Sequence, residues 1–340
     1  MKVGLIDVDG HNFPNLPLMK LSAWHKQQGD IVDWYDPMLA TIYYKEFKKN
    51  PCDKVYMSKV FSFSEDYQYH VFADGIIKGG SGYCISLVEG KEVFDKSKDI
   101  ELPYEIEHIY PDYSIYYDTI PEVKKTAYGF LTRGCPRGCD FCHVKDKEGR
   151  CSVKVADLSE FWNGQKNIVL LDPNITACKD WRELFQQLID SKATIDFSQG
   201  LDIRLMTEEK AEMIKQMKNT NIHFAWDRYE DKELIIPKLK MFKEISGLDH
   251  RKLTVYTLTN FDTTIEQDLD RIYTLRELGF NPYVMIYDKE HTSPKDTVRQ
   301  IQRWVNMRAV WEVTPRFEDY KKIKSKKSFN GQLQLELKME

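Results

Sequence analysis

TAYGFLTRGCPRGCDFCH, residues Thr126–His143, is the stretch on which the fold turns. Residues 126–132 read as a strand, and directly beyond its end stand Cys135, Cys139 and Cys142 in the spacing C-x3-C-x2-C. Three thiolates this close can converge on three corners of one iron–sulfur cube. Gly134, Pro136 and Gly138 suit a backbone that must curl tightly around something bulky. Three ligands rather than four leave one iron open to a small molecule. The same thiols with His143 or Cys151 could instead make a structural zinc site. A zinc knuckle, however, usually brings two spaced pairs, and the adjacent Cys142-His143 pair is awkward around a tetrahedron.

Downstream, strand candidates recur at 167–171, 194–198, 221–226, 252–258 and 282–287, with helical patterns over Asp180–Ser191, Thr207–Asn219 and Thr264–Gly279 among those between them. Strand plus helix, repeated at intervals of roughly 30 residues, describes a partial (β/α)6 barrel, whose chemistry sits on loops at the carboxyl ends of its strands. That rule places Asp172 and Asn174 after the second strand, Gln199, Asp202 and Arg204 after the third, and Asp227 after the fourth. For each of these polar residues a solvated turn or a structural salt bridge is the competing role.

Upstream, Lys2–Val8 reads as a buried strand, followed by a turn at 10–15, a helix over Pro17–Gln28 stopped by Gly29, and strands at 31–35, 54–60 and 75–78. Strand, helix, strand in that order predicts a Rossmann-like parallel sheet. Gly79, Gly80, Ser81 and Gly82 follow its last strand, where backbone can approach a ligand closely. Residues 88–125 are rich in charge, Pro and Tyr and read as an irregular connection. The expected fold class is therefore α/β: a parallel-sheet domain over 1–104, a linker over 105–125, the partial barrel over 126–294, and over 295–340 a helix containing Trp304 and Trp311 with a Lys-rich tail.

The C-x3-C-x-aromatic-C spacing with Phe141 as the aromatic, the preceding Arg133-Gly134, and the strand rhythm over about residues 126–290 resemble the radical S-adenosylmethionine superfamily. The resemblance implies that Cys135, Cys139 and Cys142 hold a [4Fe–4S] cluster whose open iron chelates S-adenosylmethionine. Reductive cleavage would then give a 5′-deoxyadenosyl radical that abstracts hydrogen from a substrate the sequence does not identify. It further implies an electron donor such as flavodoxin or ferredoxin. Leu171-Asp172-Pro173-Asn174 stands where the family often has Gly-Gly-Glu, so Asp172 and Asn174 carry over by position alone. Arg204 would pair with the cofactor carboxylate, Gln199 or Asp202 would face ribose or substrate, and Asp227 the ribose. Cys52, Cys84, Cys151 and Cys178 show no second cluster spacing and read as small buried hydrophobes.

The first domain resembles the cobalamin-binding (B12-binding-like) domain of one subgroup of that superfamily. Asp9-Gly10-His11 begins like the motif D-x-H-x-x-G, with Pro14 in place of its glycine. In that case His11 is the candidate cobalt ligand, with Asp9 orienting its imidazole, and Gly79, Gly80 and Ser81 lie beside the nucleotide tail. Members of the subgroup often bind the corrin without any histidine ligand, so the reading does not rest on His11 alone. With cobalamin, methyl transfer leads. Without it, rearrangement, epimerisation and oxidation stay open, and Asp9 and its neighbours are ordinary turn residues. A non-catalytic zinc- or iron–sulfur-stabilised binding module is the reading from another class.

Composition sets outer bounds. The 340 residues are 42% hydrophobic and 30% charged, with a net charge of −4, so no global field grips a phosphate backbone and nucleic acid is not indicated. A polyanion contact is left to a local patch such as Lys321–Lys327, five lysines in seven residues, whose competing role is a solvated end. The first residues lack the features of a signal peptide. No apolar run approaches the roughly 20 residues that cross a bilayer, so no membrane partner is expected. An odd count of seven cysteines argues for a reducing cytoplasm rather than a disulfide framework.

Overall fold

A computed structural model describes residues 1–10, 12–88 and 91–320. His11 and the lysine run at 321–327 lie outside the described residues. The fold is α/β, and the described residues form three sheets of parallel strands and two small antiparallel pairs.

The chain opens on β1 (Lys2–Asp7), β2 (Ile31–Trp34), β3 (Cys52–Ser58) and β4 (Ala73–Gly79), all parallel, in the order β2-β1-β3-β4. Central β1 is an unbroken buried run from Val3 to Ile6, as a parallel strand covered on both faces should be. The helix Leu16–Gln27 crosses from β1 to β2. Its N-cap Asn15 accepts from the Leu18 N–H at 3.2 Å, and Leu18 and Leu21 pack against Val3, Leu5 and Val32. The order reverses between β1 and β3, and in open α/β sheets the crevice at the carboxyl ends there is where ligands bind. Beyond it, β5 (Ile85–Val88) and β6 (Lys91–Phe94) form an antiparallel hairpin at the start of the segment expected to be irregular.

Next come β7 (Thr126–Gly129), β8 (Thr132–Arg133), β9 (Val153–Lys154), β10 (Asn167–Leu170), β11 (Thr194–Phe197) and β12 (Lys218–Asn219). β7, β10, β11 and β12 build a parallel sheet in the order β12-β11-β10-β7, covered by Leu184, Phe185 and Leu188 of the helix Trp181–Ser191. The strand expected over 126–132 stops at Gly129, and Thr132-Arg133 turns away to pair antiparallel with β9. Two contacts cause this. The Phe161 ring fills the space beside Gly129 that any Cβ would need. The Asp172 carboxylate takes the N–H groups of Leu131 and Thr132, of which a continuing ladder to β10 would have used one.

The last parallel sheet is β13 (Ile222–Ala225), β14 (Leu253–Thr259) and β15 (Asn281–Ile286), in that order. The single helix expected near the end is two, Thr297–Asn306 and Arg308–Val313, broken where Met307 is extended. The break lets Trp311 turn back edge-on to Trp304 at 5.1 Å, and Trp304 Nε1 donates to the Thr314 carbonyl at 2.8 Å. No helix among the described residues is long and apolar enough to cross a membrane.

The chain divides into two compact units, Met1–Gly200 with Glu212–Thr220, and Leu201–Ala211 with Asn221–Glu340. The first holds the sheets of β1 and β7, the second the sheet of β14. Within the second, Arg271 on the helix Ile265–Glu277 is 0% exposed and donates to the carbonyls of Trp226, Asp227 and Leu258, while Asp268 balances its charge. One guanidinium thus closes the carboxyl ends of β13 and β14. Arg271→Ala would strand those carbonyls and Asp268, and is expected to cost about 3–5 kcal/mol in urea unfolding of the full chain. A loss below about 1 kcal/mol would contradict this assignment.

Candidate functional site

The cysteine loop is an excursion closed at its neck. The β8–β9 pair sets Arg133 opposite Val153, and Cys135 N–H donates to the Gly149 carbonyl at 3.2 Å. Glu148 grips the same point twice, accepting from Arg133 Nη1 at 2.9 Å and from the Gly134 N–H at 3.1 Å. The Arg133 guanidinium also lies over the Phe130 ring, 3.4 Å from its centre. Gly134 has φ +84°, and a Cβ there would collide with the Cys151 carbonyl. This explains Arg-Gly before the first cysteine: the arginine anchors and the glycine permits the close approach.

Inside the loop, Gly138 at φ +58° and a Cys142 N–H to Cys139 carbonyl bond of 3.1 Å curl the backbone. Cys135, Cys139, Cys142 and Phe141 are all half-buried. Burial pushes the Cys142 thiol up, the Val144 N–H counters by donating to its sulfur, and the neighbouring Cys135 pushes it up again. Among the described residues, no three His, Cys, Asp or Glu side chains form a group that could hold a metal ion. A single tetrahedral ion with Zn–S of about 2.3 Å needs its sulfurs within roughly 4 Å of one another. An iron–sulfur cube takes thiolate donors, and the three cysteines match that donor set in kind. Of the other thiols, Cys52, Cys84 and Cys178 are buried, as small hydrophobes should be, whereas Cys151 is exposed at the neck.

Asp172 and Asn174, placed by position alone, both act on this loop. Asp172 is 3% exposed and accepts from Leu131 N–H at 3.2 Å, from Thr132 Oγ1 at 2.6 Å and from Thr132 N–H. It thereby fixes the strand end that launches the cysteines. Burial raises its pKa to about 6, against the opposing pull of those hydrogen bonds. Asn174 is also 3% exposed, and its Nδ2 donates to Cys135 Sγ at 3.4 Å. Gln199 is exposed at the end of the sheet of β7 and donates only a long bond to Ser198 Oγ, 3.5 Å.

The remaining barrel candidates belong to the second unit. Arg204 donates to Asp202 Oδ1 at 2.8 Å and to Asp231 Oδ2 at 3.0 Å, and although burial opposes it these two carboxylates raise its pKa. Its fork is already matched by two anions, so a free carboxylate would compete with both. Burial raises the Asp227 pKa, while Arg204, Arg271 and the Leu258 N–H lower it.

At the edge of the first sheet the expected ligand residues are engaged by other parts of the chain. Asp9 is buried, with both oxygens on Val60 N–H and one also on Phe61 N–H at 2.7 Å. A Cβ on Gly80 would strike the Lys59 carbonyl, and one on Gly82 the Phe61 carbonyl, so chain packing accounts for both glycines. Asn15 Nδ2 donates to Ser58 Oγ at 2.8 Å, and Tyr116 Oη donates to Asp7. Gly79 is open, and Ser81 Oγ accepts from Lys147 Nζ at 2.9 Å. Asp9 thus spends its hydrogen bonds on the chain after β3, and backbone fills the space beside Gly80 and Gly82 while that beside Gly79 is open. Burial also lowers the Lys147 pKa, and this lysine ties the Gly-Gly-Ser loop to the residues just after the cysteines.

No family model matches the chain. No curated protein matches it either.

Glu148, Lys147 and Thr132 carried no signal in the sequence, because each matters only through a partner that the fold brings near. The raised Asp172 pKa has a stability consequence. Between the ordinary carboxyl value and about 6 the folded state keeps a proton that the unfolded chain has lost, so stability falls as pH rises through that window. The wild type should therefore lose up to about 3 kcal/mol relative to Asp172→Asn between pH 4 and 7. Urea unfolding across that range checks it, and a difference independent of pH would contradict the assignment.

Proposed function

We propose that the chain is a radical S-adenosylmethionine enzyme, with a Rossmann-like domain, then a partial (β/α)6 barrel and a C-terminal helical extension. The observation that carries this reading is the three-cysteine loop at the carboxyl end of β7, held by residues that meet only in the fold. Cys135, Cys139 and Cys142 would hold a [4Fe–4S] cluster, whose chemistry would be the supply of one electron to S-adenosylmethionine, breaking its C5′–S bond into methionine and a 5′-deoxyadenosyl radical for hydrogen abstraction.

The chain's own residues do the rest. Asp172 fixes the takeoff of the loop by holding Leu131 and Thr132. Glu148 and Arg133 fix its neck, so the two ends of the loop stay together. Gly134 and Gly138 let the backbone wrap its guest, and half-burial limits the access of water and oxygen to the sulfurs. Because the edge of the first sheet is occupied by Asp9, Lys59 and Phe61, the reaction without a corrin is favoured over methyl transfer. Lys147 gives that first domain another task, bracing the cysteine loop through Ser81.

Anaerobic reconstitution with iron and sulfide, then dithionite and S-adenosylmethionine, is expected to yield 5′-deoxyadenosine. Cys139→Ala should lose both the cluster absorbance and the product. A full cluster without product in the wild type, or undiminished cluster absorbance in Cys139→Ala, would overturn the reading. Zinc in place of iron and labile sulfide would favour a binding module instead.

A further inference from the structure

Among the contacts to the three thiols, one comes from a side chain built for it. Asn174 Nδ2 stands 3.4 Å from Cys135 Sγ. The amide is fixed on its other side, where Oδ1 accepts from Thr176 Oγ1 at 2.7 Å, and the residue's backbone carbonyl accepts from Ser152 Oγ at 2.8 Å. Asn174 is 3% and Thr176 2% exposed, so no bulk water competes for these groups. The Thr176 hydroxyl can donate or accept and so anchors the amide in either orientation; it is the sulfur that selects the N–H edge. The reverse orientation would set an oxygen lone pair against a thiolate.

We propose that Asn174 is a positioning residue that raises the reduction potential of a cluster held by Cys135, a role that rests on the iron–sulfur reading above. One-electron reduction, with the electron drawn from an external low-potential donor, adds negative charge that spreads onto the thiolate sulfurs. A fixed N–H donor stabilises the more electron-rich state more than the oxidised one, so the potential rises. Asp172, two residues earlier, places the strand from which Cys135 follows. The turn after β10 thus serves the cysteine loop twice, once in shape and once in charge.

The test is an anaerobic redox titration of the full, reconstituted chain, following the reduced cluster by EPR. Asn174→Leu keeps bulk and removes the donor. It should retain iron and sulfide yet need a more negative donor, with about tenfold less reduced cluster at a fixed potential, equivalent to about 59 mV for one electron. Thr176→Val, which unlocks the amide without touching Cys135, should shift the potential the same way by less. A loaded Asn174→Leu with an unchanged or more positive potential overturns the proposal while leaving the iron–sulfur reading standing. Should Asn174→Leu fail to load, an unchanged potential in Thr176→Val overturns it. A wild-type chain that assembles no cluster overturns the iron–sulfur reading and this proposal together.

Discussion

A carboxylate buried behind β7 is the constraint on which the candidate site depends. Asp172 sits just beyond the end of that strand and takes the N–H groups of Leu131 and Thr132 for itself. An ionisable group in so dry a place is costly unless its oxygens are satisfied, and Leu131 and Thr132 satisfy them. The strand therefore ends, the chain turns outward, and the short β8–β9 pair throws the cysteine segment clear of the sheet. Glu148 then holds the two ends of that segment together through Arg133 and Gly134. A loop so anchored can be preorganised without a guest, which lowers the ordering entropy that binding one would cost.

The first domain is the contrasting case. Its strand order and its reversal between β1 and β3 are those of ligand-binding open sheets, yet the carboxyl edge is spanned by its own groups. Asp9 ties the loop after β1 to the loop after β3, and the glycines after β4 lie against the same backbone. Fold alone does not confer a function. Here Asp9 and the glycines Gly80 and Gly82 are taken up by the chain's own backbone, and the domain gives the cysteine loop a foothold at Ser81.

Much of this was legible in the chain. The spacing of Cys135, Cys139 and Cys142, the glycines between them, and most of the strands were readable because hydrophobic period, turn chemistry and ligand spacing are local properties. What escaped lies in partnerships across sequence. Asp172 reads as a loop carboxylate until Thr132, 40 residues earlier, is seen against it. Arg204 has the right fork for a ligand, but Asp231, 27 residues on, shares it with Asp202. The break at Met307 carries no glycine or proline to announce it, since the driving contact is Trp311 on Trp304. The hairpin of β5 and β6 hid in a charged stretch because its strands are short and pair only with each other.

The central claim is that three sulfurs on one loop carry an iron cube with an unshared corner. Reduced, reconstituted protein examined by EPR with and without S-adenosylmethionine tests it most directly. A cluster signal whose g values change when the sulfonium compound is added is the expected result. A fully loaded cluster whose spectrum is identical in both samples would mean that no iron is open to it, and would contradict the account.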